Sequence, residues 1–286
     1  MKKLLVFLMA CAVNSHAQTC IPNTHSLTFN GTSADCTTDN NLNITDSITV
    51  EAWIYATSWG FTSAQGSIVC KHSWSQQEQG YVLRAGGTGE LSWNFAGLDT
   101  AGNPASWVEV VSPVNSLSLN TWHHVAGTYN GSEMKLYIDG ILVATLPFTG
   151  TIVAGSSFPL KIGRLADTGQ FETRYWSGRI DEVRIWHRSL TPTEISDNMN
   201  KHIDPLTASD LAGYWRFNEG TGTLSADQSA NGNDVSVSAQ WNTTVPFNDA
   251  PATPSITLIG FALTTNATGV SYQWLLAGNP ISGATQ

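Results

Sequence analysis

Two kinds of residue in this chain could do chemistry, acids and loop aromatics. Among the acids, Asp181 and Glu182 are adjacent in R-I-D-E-V-R-I-W, and Glu51 stands alone in I-T-V-E-A-W-I-Y. Glycoside hydrolysis needs two carboxyl groups about 5 to 9.5 Å apart across the scissile bond. Neighbouring residues of an extended strand point to opposite faces, so Asp181 and Glu182 are expected to be separated. His123 and His124 come without a Gly-x-Ser-x-Gly elbow, which leaves a serine hydrolase unsupported. No Cys-x-x-Cys or Cys/His spacing suits zinc. Asp227 to Asp234 carries oxygen at alternate positions but lacks the glutamate that closes an EF-hand loop, so it reads as a polar turn.

The aromatic group points to binding. Trp59, Trp74, Trp107, Tyr175 and Trp176 fall in or beside expected loops, where they could stack on sugar rings or pack over the ends of the fold. Arg174, Glu172 and Asp167 lie beside Tyr175 and Trp176 and supply fork donors and acceptors. Leu165 to Ser177 is therefore the expected ligand-binding loop, with Trp59 and Trp74 as further candidates.

These residues must be positioned by strands. Of 286 residues only 12% are charged, and 11 are Trp, a composition that suits β-structure. The formal net charge is −9 with no Lys/Arg cluster beyond the first three residues, which excludes a phosphate-neutralising face and hence nucleic acid. Asn120 to Thr145 reads as a three-stranded meander with turns at Asn130-Gly131 and Asp139-Gly140, both of which tolerate the positive φ of a type I′ hairpin. Two-residue loops would set Ile138 against Ile141, Leu136 against Val143, and Val125 against Leu136. Val125, Met134, Leu136, Ile138, Ile141 and Val143 then form one apolar face, with His124, Lys135, Tyr137 and Ala144 on the other. Further strands are expected at Ser26–Asn30, Ile48–Tyr55, Ser67–Lys71, Tyr81–Ala85, Glu90–Ala96, Trp107–Val111, Leu160–Arg164, Arg179–Trp186 and Leu211–Phe217. Leu98 to Ser106 is expected as a loop. Thr191-Pro192-Thr193-Glu194 has the N-cap, first-position proline and third-position glutamate of a capping box, so a helix should run to about Lys201.

Met1 to Ala17 has a basic start, an apolar run from Leu4 to Val13 and a small-x-small end, the pattern of a secretory signal. Leu8-Met9-Ala10-Cys11 resembles a lipoprotein cleavage box, so lipid anchoring through Cys11 is the alternative to simple secretion. Either predicts a secreted or cell-surface protein without a transmembrane span. Cys20 and Cys36 flank the first strand and are expected to form a disulfide, with Cys70 a buried thiol. Residues 18–247 read as the main domain, 248–254 as a Pro/Ala-rich linker, and 255–286 as a separate β segment.

Three motifs carry a family resemblance. W-H-H-V-A-G-T-Y-N-G with M-K-L-Y-I-D-G-I-L-V-A, then G-R-I-D-E-V-R-I-W-H-R-S-L-T-P-T-E-I, and earlier L-T-F-N-G-T resemble, in order, the signatures of laminin G-like (concanavalin A-like) jelly-roll domains. The resemblance covers roughly Ser26 to Phe247. It implies an all-β, two-sheet antiparallel sandwich and a recognition or adhesion role, with a glycan or an extracellular protein as partner. It implies no catalysis, since the Glu-x-Asp-x-x-Glu string of the glucanases of that fold is missing. It also implies a structural calcium held by Asp181 with Asn30 and Gly31, although the resembled turn has Asp where this chain has Asn30. Ser255 to Gln286 resembles the opening of an immunoglobulin-like module with Trp274 as its core tryptophan, so further domains are expected beyond Gln286. A spacer or protein-docking role is the alternative to glycan binding, and a glycoside hydrolase with a divergent site is the third reading.

Overall fold

The computed structural model describes residues 22–37, 41–59, 66–73, 79–154, 158–165 and 174–248, together with four short strands between residues 256 and 285. The chain divides into two compact units, one of which is Asn23–Asn248. In this unit the strands are β1 (Ser26–Asn30), β2 (Ala34–Cys36), β3 (Ile48–Ala56), β4 (Gly66–Ser73), β5 (Gln79–Gly86), β6 (Glu90–Asp99), β7 (Pro104–Val111), β8 (Trp122–Tyr129), β9 (Glu133–Ile138), β10 (Ile141–Pro147), β11 (Gly150–Ile152), β12 (Lys161–Ile162) and β13 (Ser177–Trp186). After the helix α1 (Pro192–Asn198) come β14 (Leu211–Trp215), β15 (Leu224–Ser225), β16 (Val235–Val237) and β17 (Gln240–Asn242).

They form two antiparallel sheets. An eight-stranded sheet runs β10-β9-β8-β3-β13-β1-β17 with β14 also on β13; a nine-stranded sheet runs β11-β6-β5-β4-β12-β2-β16-β15 with β7 on β6. Apolar side chains of alternate residues meet between them, among them Val50, Ile54, Leu83, Trp93, Phe95, Val125, Leu136 and Ile185. This is the jelly-roll sandwich that the sequence implies. The remaining strands, β18 (Ile256–Ile259), β19 (Ala262–Thr265), β20 (Gln273–Leu276) and β21 (Asn279–Thr285), pair as β18 with β19 and β20 with β21.

The meander keeps Val125, Met134, Leu136 and Ile138 of its expected inner face but changes its register, and it brings Ala144, expected on the other side, against the core. Asp139 and Gly140 both have positive φ, as a two-residue I′ turn requires, and Ile138 faces Ile141. The first turn is longer. Asn130 keeps a negative φ and uses its side chain instead, accepting from the N–H groups of Ser132 and Glu133 at 3.0 and 2.9 Å. Val125 therefore faces Ile138 rather than Leu136, a shift of two that preserves which face each residue occupies. A bulge between Leu142 and Ala144 sets Leu136 against Ala144 rather than Val143, and Ile141 is 68% exposed at the sheet edge. The expected loop from Leu98 to Ser106 is mostly strand: β6 runs to Asp99 and β7 starts at Pro104, joined by a turn that Asp99 closes by accepting from the N–H groups of Ala101 and Asn103.

One close approach sets the spacing of the sheets. The fully buried indole of Trp93 lies over Gly127, where a Cβ would meet its ring carbons at 2.6 Å. Gly127→Ala is expected to destabilise the fold by about 1–3 kcal/mol through overpacking, measured by urea denaturation. A change below a few tenths of a kcal/mol would contradict this packing.

The helix start is built as the sequence predicts. Thr191 Oγ1 accepts from Glu194 N–H at 3.2 Å, and Glu194 accepts from Thr191 N–H at 2.8 Å. The Arg188 guanidinium at 2.9 Å and these N-cap bonds hold the Glu194 carboxyl down at about 2. Its contribution is thus full above the usual glutamate range and lost as pH falls through about 2. Acid unfolding of Glu194→Gln should show a smaller drop between pH 4.5 and 2 than the parent chain; identical profiles would remove the assignment.

Candidate functional site

Both outer faces of the sandwich carry polar side chains, and they differ in what those side chains can reach. On the eight-stranded sheet the charges are sealed. A bulge in β13 sets Asp181 opposite Trp53 and Arg184 opposite Glu51, with Glu182 as the extra residue at φ +49°. Inward-facing residues therefore skip from Ile180 to Val183, and Asp181 and Glu182 share the outer side. This corrects the expectation that the two carboxylates point to opposite faces, which assumed unbroken alternation.

The pair is not open to a substrate. Arg184 donates to Glu182 at 2.9 Å and to the carbonyls of Asn198 and Lys201 at 3.1 and 2.7 Å. Arg216 and the Tyr214 hydroxyl also donate to Glu182, while Trp186 Nε1 donates to Glu51 at 3.0 Å. All of these side chains are at least nine-tenths buried. Burial, followed by the nearby charge of Glu182, holds the Asp181 carboxyl well above its ordinary range. Burial likewise pushes Glu51 up and drives His124 down to about 3, so that imidazole is neutral. The expected outward pair His124 and Tyr137 is covered, Tyr137 packing with Ile195 and Leu211.

The residues expected to share a calcium lie apart. β1 pairs so that Asn30 faces Ser177, four residues from Asp181 and about 13 Å away along the strand. Asp181 instead accepts from Asn23 Nδ2 at 2.8 Å and from the Glu182 N–H at 2.9 Å. Gly31 lies in an open turn with Asn30, and no group of three or more metal-ligating side chains occurs among the described residues. The Asp227 loop is a polar turn: its carboxylate accepts from the N–H groups of Tyr214, Ser229 and Asn233 and from the Ser229 hydroxyl.

A Ser118–His123–Asp139 chain was not anticipated. Ser118 Oγ lies 2.8 Å from His123 Nε2, and His123 Nδ1 lies 2.8 Å from Asp139 Oδ2. In a serine hydrolase the nucleophile's own N–H helps to bind the oxyanion. Here the Ser118 N–H donates to His123 Nε2 at 3.3 Å, and Asp139 Oδ1 accepts from the His124 N–H. The chain ties the β9–β10 turn to the loop before β8.

On the nine-stranded sheet the outer polar groups Ser67, Arg84, Ser92 and Asn94 are also buried, and Glu109 is the member that reaches solvent, with 29% of its side chain accessible. The pairing of this sheet makes two rows, Val111–Ser92–Arg84–Ser67 and Glu109–Asn94–Val82–Cys70–Lys161–Asp35. Arg84 Nη2 donates to Glu109 Oε1 at 3.0 Å and Arg84 Nε to Ser92 Oγ at 3.4 Å. The Ser92 hydroxyl donates to Glu109 Oε1 at 2.6 Å, so its oxygen accepts from Asn94 Nδ2 at 3.1 Å. The Arg84 guanidinium also lies 5.6 Å from the half-buried Trp107 ring, which meets His72 edge-on at 4.5 Å. Beside this polar half, Cys70, Val82 and Leu165 make an apolar half with Phe158 and Trp107. Aromatic edge plus hydrogen-bonding fork is the chemistry of sugar recognition.

The expected loop residues relate to this face in different ways. Arg174 joins it: its carbonyl accepts from Ser67 N–H at 3.0 Å, and burial followed by the charge of Arg84 lowers its guanidinium pKa. Tyr175 is half-buried. Trp176 is a correction: its ring is 2% exposed, donates to the Arg179 carbonyl and packs edge-on with Trp59, so it serves the core and not a ligand. Trp59 is partly buried against that same core. Asp167, Glu172, Trp74 and Cys20 lie outside the described residues; Cys36 is buried in β2. Arg84, Ser92, Asn94 and Glu109 were missed, although strict alternation on β5, β6 and β7 puts polar residues opposite the buried row.

Fold and face together define a two-sheet lectin-type sandwich. Residues 29–196 match the concanavalin A-like lectin/glucanases superfamily, and the chain belongs to it. Human adhesion G-protein coupled receptor D1 is 32% identical over 119 residues, which cover 40% of this chain and 12% of the receptor. Human pappalysin-1 is 32% identical over 100 residues, covering 34% of this chain and 6% of that protein. The chain thus spans a small part of these relatives' length. A structure described as a "putative carbohydrate binding protein" from Bacteroides ovatus superposes with a TM-score of 0.60 at 19% identity, over 78% of this chain and 60% of that one. No helix among the described residues is long and apolar enough to cross a membrane.

The buried Asp181 generates a test. Its raised pKa means that its contribution is full below the usual aspartate range and is lost as pH rises through the folded value. Asp181→Asn keeps an acceptor for the Glu182 N–H and removes that loss, so the stability gap between variant and parent should widen in the variant's favour from pH 4 to pH 8. A gap that narrows would show a carboxylate ionised and stabilised in the fold.

Proposed function

We propose that Asn23–Asn248 is a recognition module of an exported or surface protein that binds a carbohydrate on the outer face of its nine-stranded sheet and does not transform it. The supporting observation is the Arg84–Glu109–Ser92–Asn94 relay beside Trp107, with Arg174 at its margin. Family membership and the likeness to the Bacteroides ovatus protein agree with this reading. The binding site moves from the end-loop aromatics to a sheet face, and Arg174 is the expected residue that belongs to both. The acids that could hydrolyse a glycosidic bond are locked in internal ion pairs, which supports binding without catalysis. A secreted or surface location rests on Met1 to Ala17 and remains part of the proposal.

A second reading has one observation of its own. Ile141 and Leu142, 68% and 46% exposed, lie on the free edge strand β10, as a protein-docking module would present them.

A glycan array with the full chain separates the two. Binding should be detected, and Trp107→Leu, which keeps part of the packing on Cys70, Val82 and Leu165, should weaken it about two- to tenfold in a chain that still shows a cooperative melting transition. Equal binding by parent and variant would move the site elsewhere; no binding to any sugar would favour docking.

A further inference from the structure

The relay on the nine-stranded sheet settles which hydrogen-bonding groups are left over. The Ser92 hydroxyl has one proton, and at 2.6 Å it goes to the Glu109 carboxylate. Ser92 Oγ must then accept, which obliges Asn94 to turn its Nδ2 toward it at 3.1 Å. The amide orientation is thereby fixed, and Asn94 Oδ1 points the other way. That oxygen is buried and has no hydrogen-bond partner. Ser67 Oγ, in the same row as Arg84, is also buried and without a partner. Arg84 is committed to Glu109 and Ser92 and lies beside Trp107. Glu109 is the partly exposed end of the relay, with 29% of its side chain accessible, and it is the register neighbour of Asn94.

Buried acceptors left unmet are costly, and the cost disappears when a ligand brings a donor. Building on the carbohydrate reading above, we infer that this face selects a neutral sugar that donates hydroxyl protons to Asn94 Oδ1 and Glu109, and discriminates against acidic sugars. A ligand entering beside Glu109 meets a carboxylate first and an amide oxygen next, both of which want protons. Arg174 pulls the other way, since its charge lies near that of Arg84. The oxygens decide between the two. A uronate, sialate or sulfate would bring lone pairs against lone pairs, leave Asn94 unmet and add repulsion at Glu109. A neutral pyranose or furanose carries vicinal hydroxyls that satisfy both acceptors and an apolar C–H face for Trp107.

The test is calorimetric titration of the full chain with matched neutral and acidic oligosaccharides, repeated on Asn94→Leu and Glu109→Gln. Neutral ligands should bind at least about tenfold more tightly than their acidic counterparts. Asn94→Leu should lose about tenfold in affinity for the neutral ligand while its melting temperature rises, because the leucine removes an unmet acceptor from a buried place. Glu109→Gln keeps an acceptor oxygen for Arg84 and Ser92 while removing the negative charge, and in a chain shown to fold by its melting transition it should reduce the preference for neutral over acidic ligands. Acidic ligands binding as well as or better than neutral ones would overturn the inference while leaving the carbohydrate reading intact. So would an Asn94→Leu chain that melts higher yet binds as the parent does. Failure of both ligand classes to bind would sink the carbohydrate reading and this inference together.

Discussion

Trp93 resting on Gly127 is the contact on which the arrangement depends. A tryptophan whose indole is wholly buried needs a partner surface without a side chain, and Gly127 on the opposite sheet provides it at 2.6 Å from a notional Cβ. Truncating a buried aromatic of this size costs about 3–5 kcal/mol. The contact therefore holds β6 in one register relative to the core. Because strand side chains alternate, fixing Trp93 and Phe95 inward forces Ser92 and Asn94 outward. Core packing and the polar relay on the opposite side of the same strand are two consequences of one constraint.

The two outer faces then take different courses. Over the eight-stranded sheet, α1 and the chain after it lie on Trp186, Leu190 and Tyr214, so any charge there is fully desolvated. Such a charge persists only when paired and hydrogen-bonded, and Arg184 meets both demands by bridging Glu182 and the carbonyls of Asn198 and Lys201. Those bonds anchor the segment after the helix, a structural task. Over the nine-stranded sheet the relay keeps one end at the surface and leaves one acceptor unmet. Buried atoms without a hydrogen bond occur on both faces, Glu51 Oε2, His124 Nδ1 and Arg184 Nε among them; the relay differs in running out to the partly exposed Glu109 carboxylate.

Much of this was legible in the residues. Alternation in I-T-V-E-A-W-I-Y and E-L-S-W-N-F-A, the Asp139-Gly140 turn and the Thr191 capping box each carry a local physical rule, and each element forms. What escaped depended on departures from those rules. The bulge at Glu182 carries no proline or glycine to mark it, and it puts Asp181 and Glu182 on one side. The register of β1 on β13 depends on long-range pairing, so the separation of Asn30 from Asp181 could not be read locally. Trp176 looked like a loop aromatic because the loop was visible and the core beneath it was not. The relay escaped for a further reason: Arg84, Asn94 and Glu109 belong to three strands, and their meeting is set by pairing rather than by spacing along the chain.

The most direct measurement uses the tryptophans as reporters. The chain has 11 of them, and their indole N–H signals in a nitrogen-15 NMR spectrum distinguish the sheet face from the end of the sandwich. On titration with a neutral oligosaccharide that binds, the signal of Trp107 should move while those of Trp59 and Trp176 stay in place. Movement confined to Trp59 and Trp176, with Trp107 unchanged, would put the ligand at the sandwich end and contradict the account.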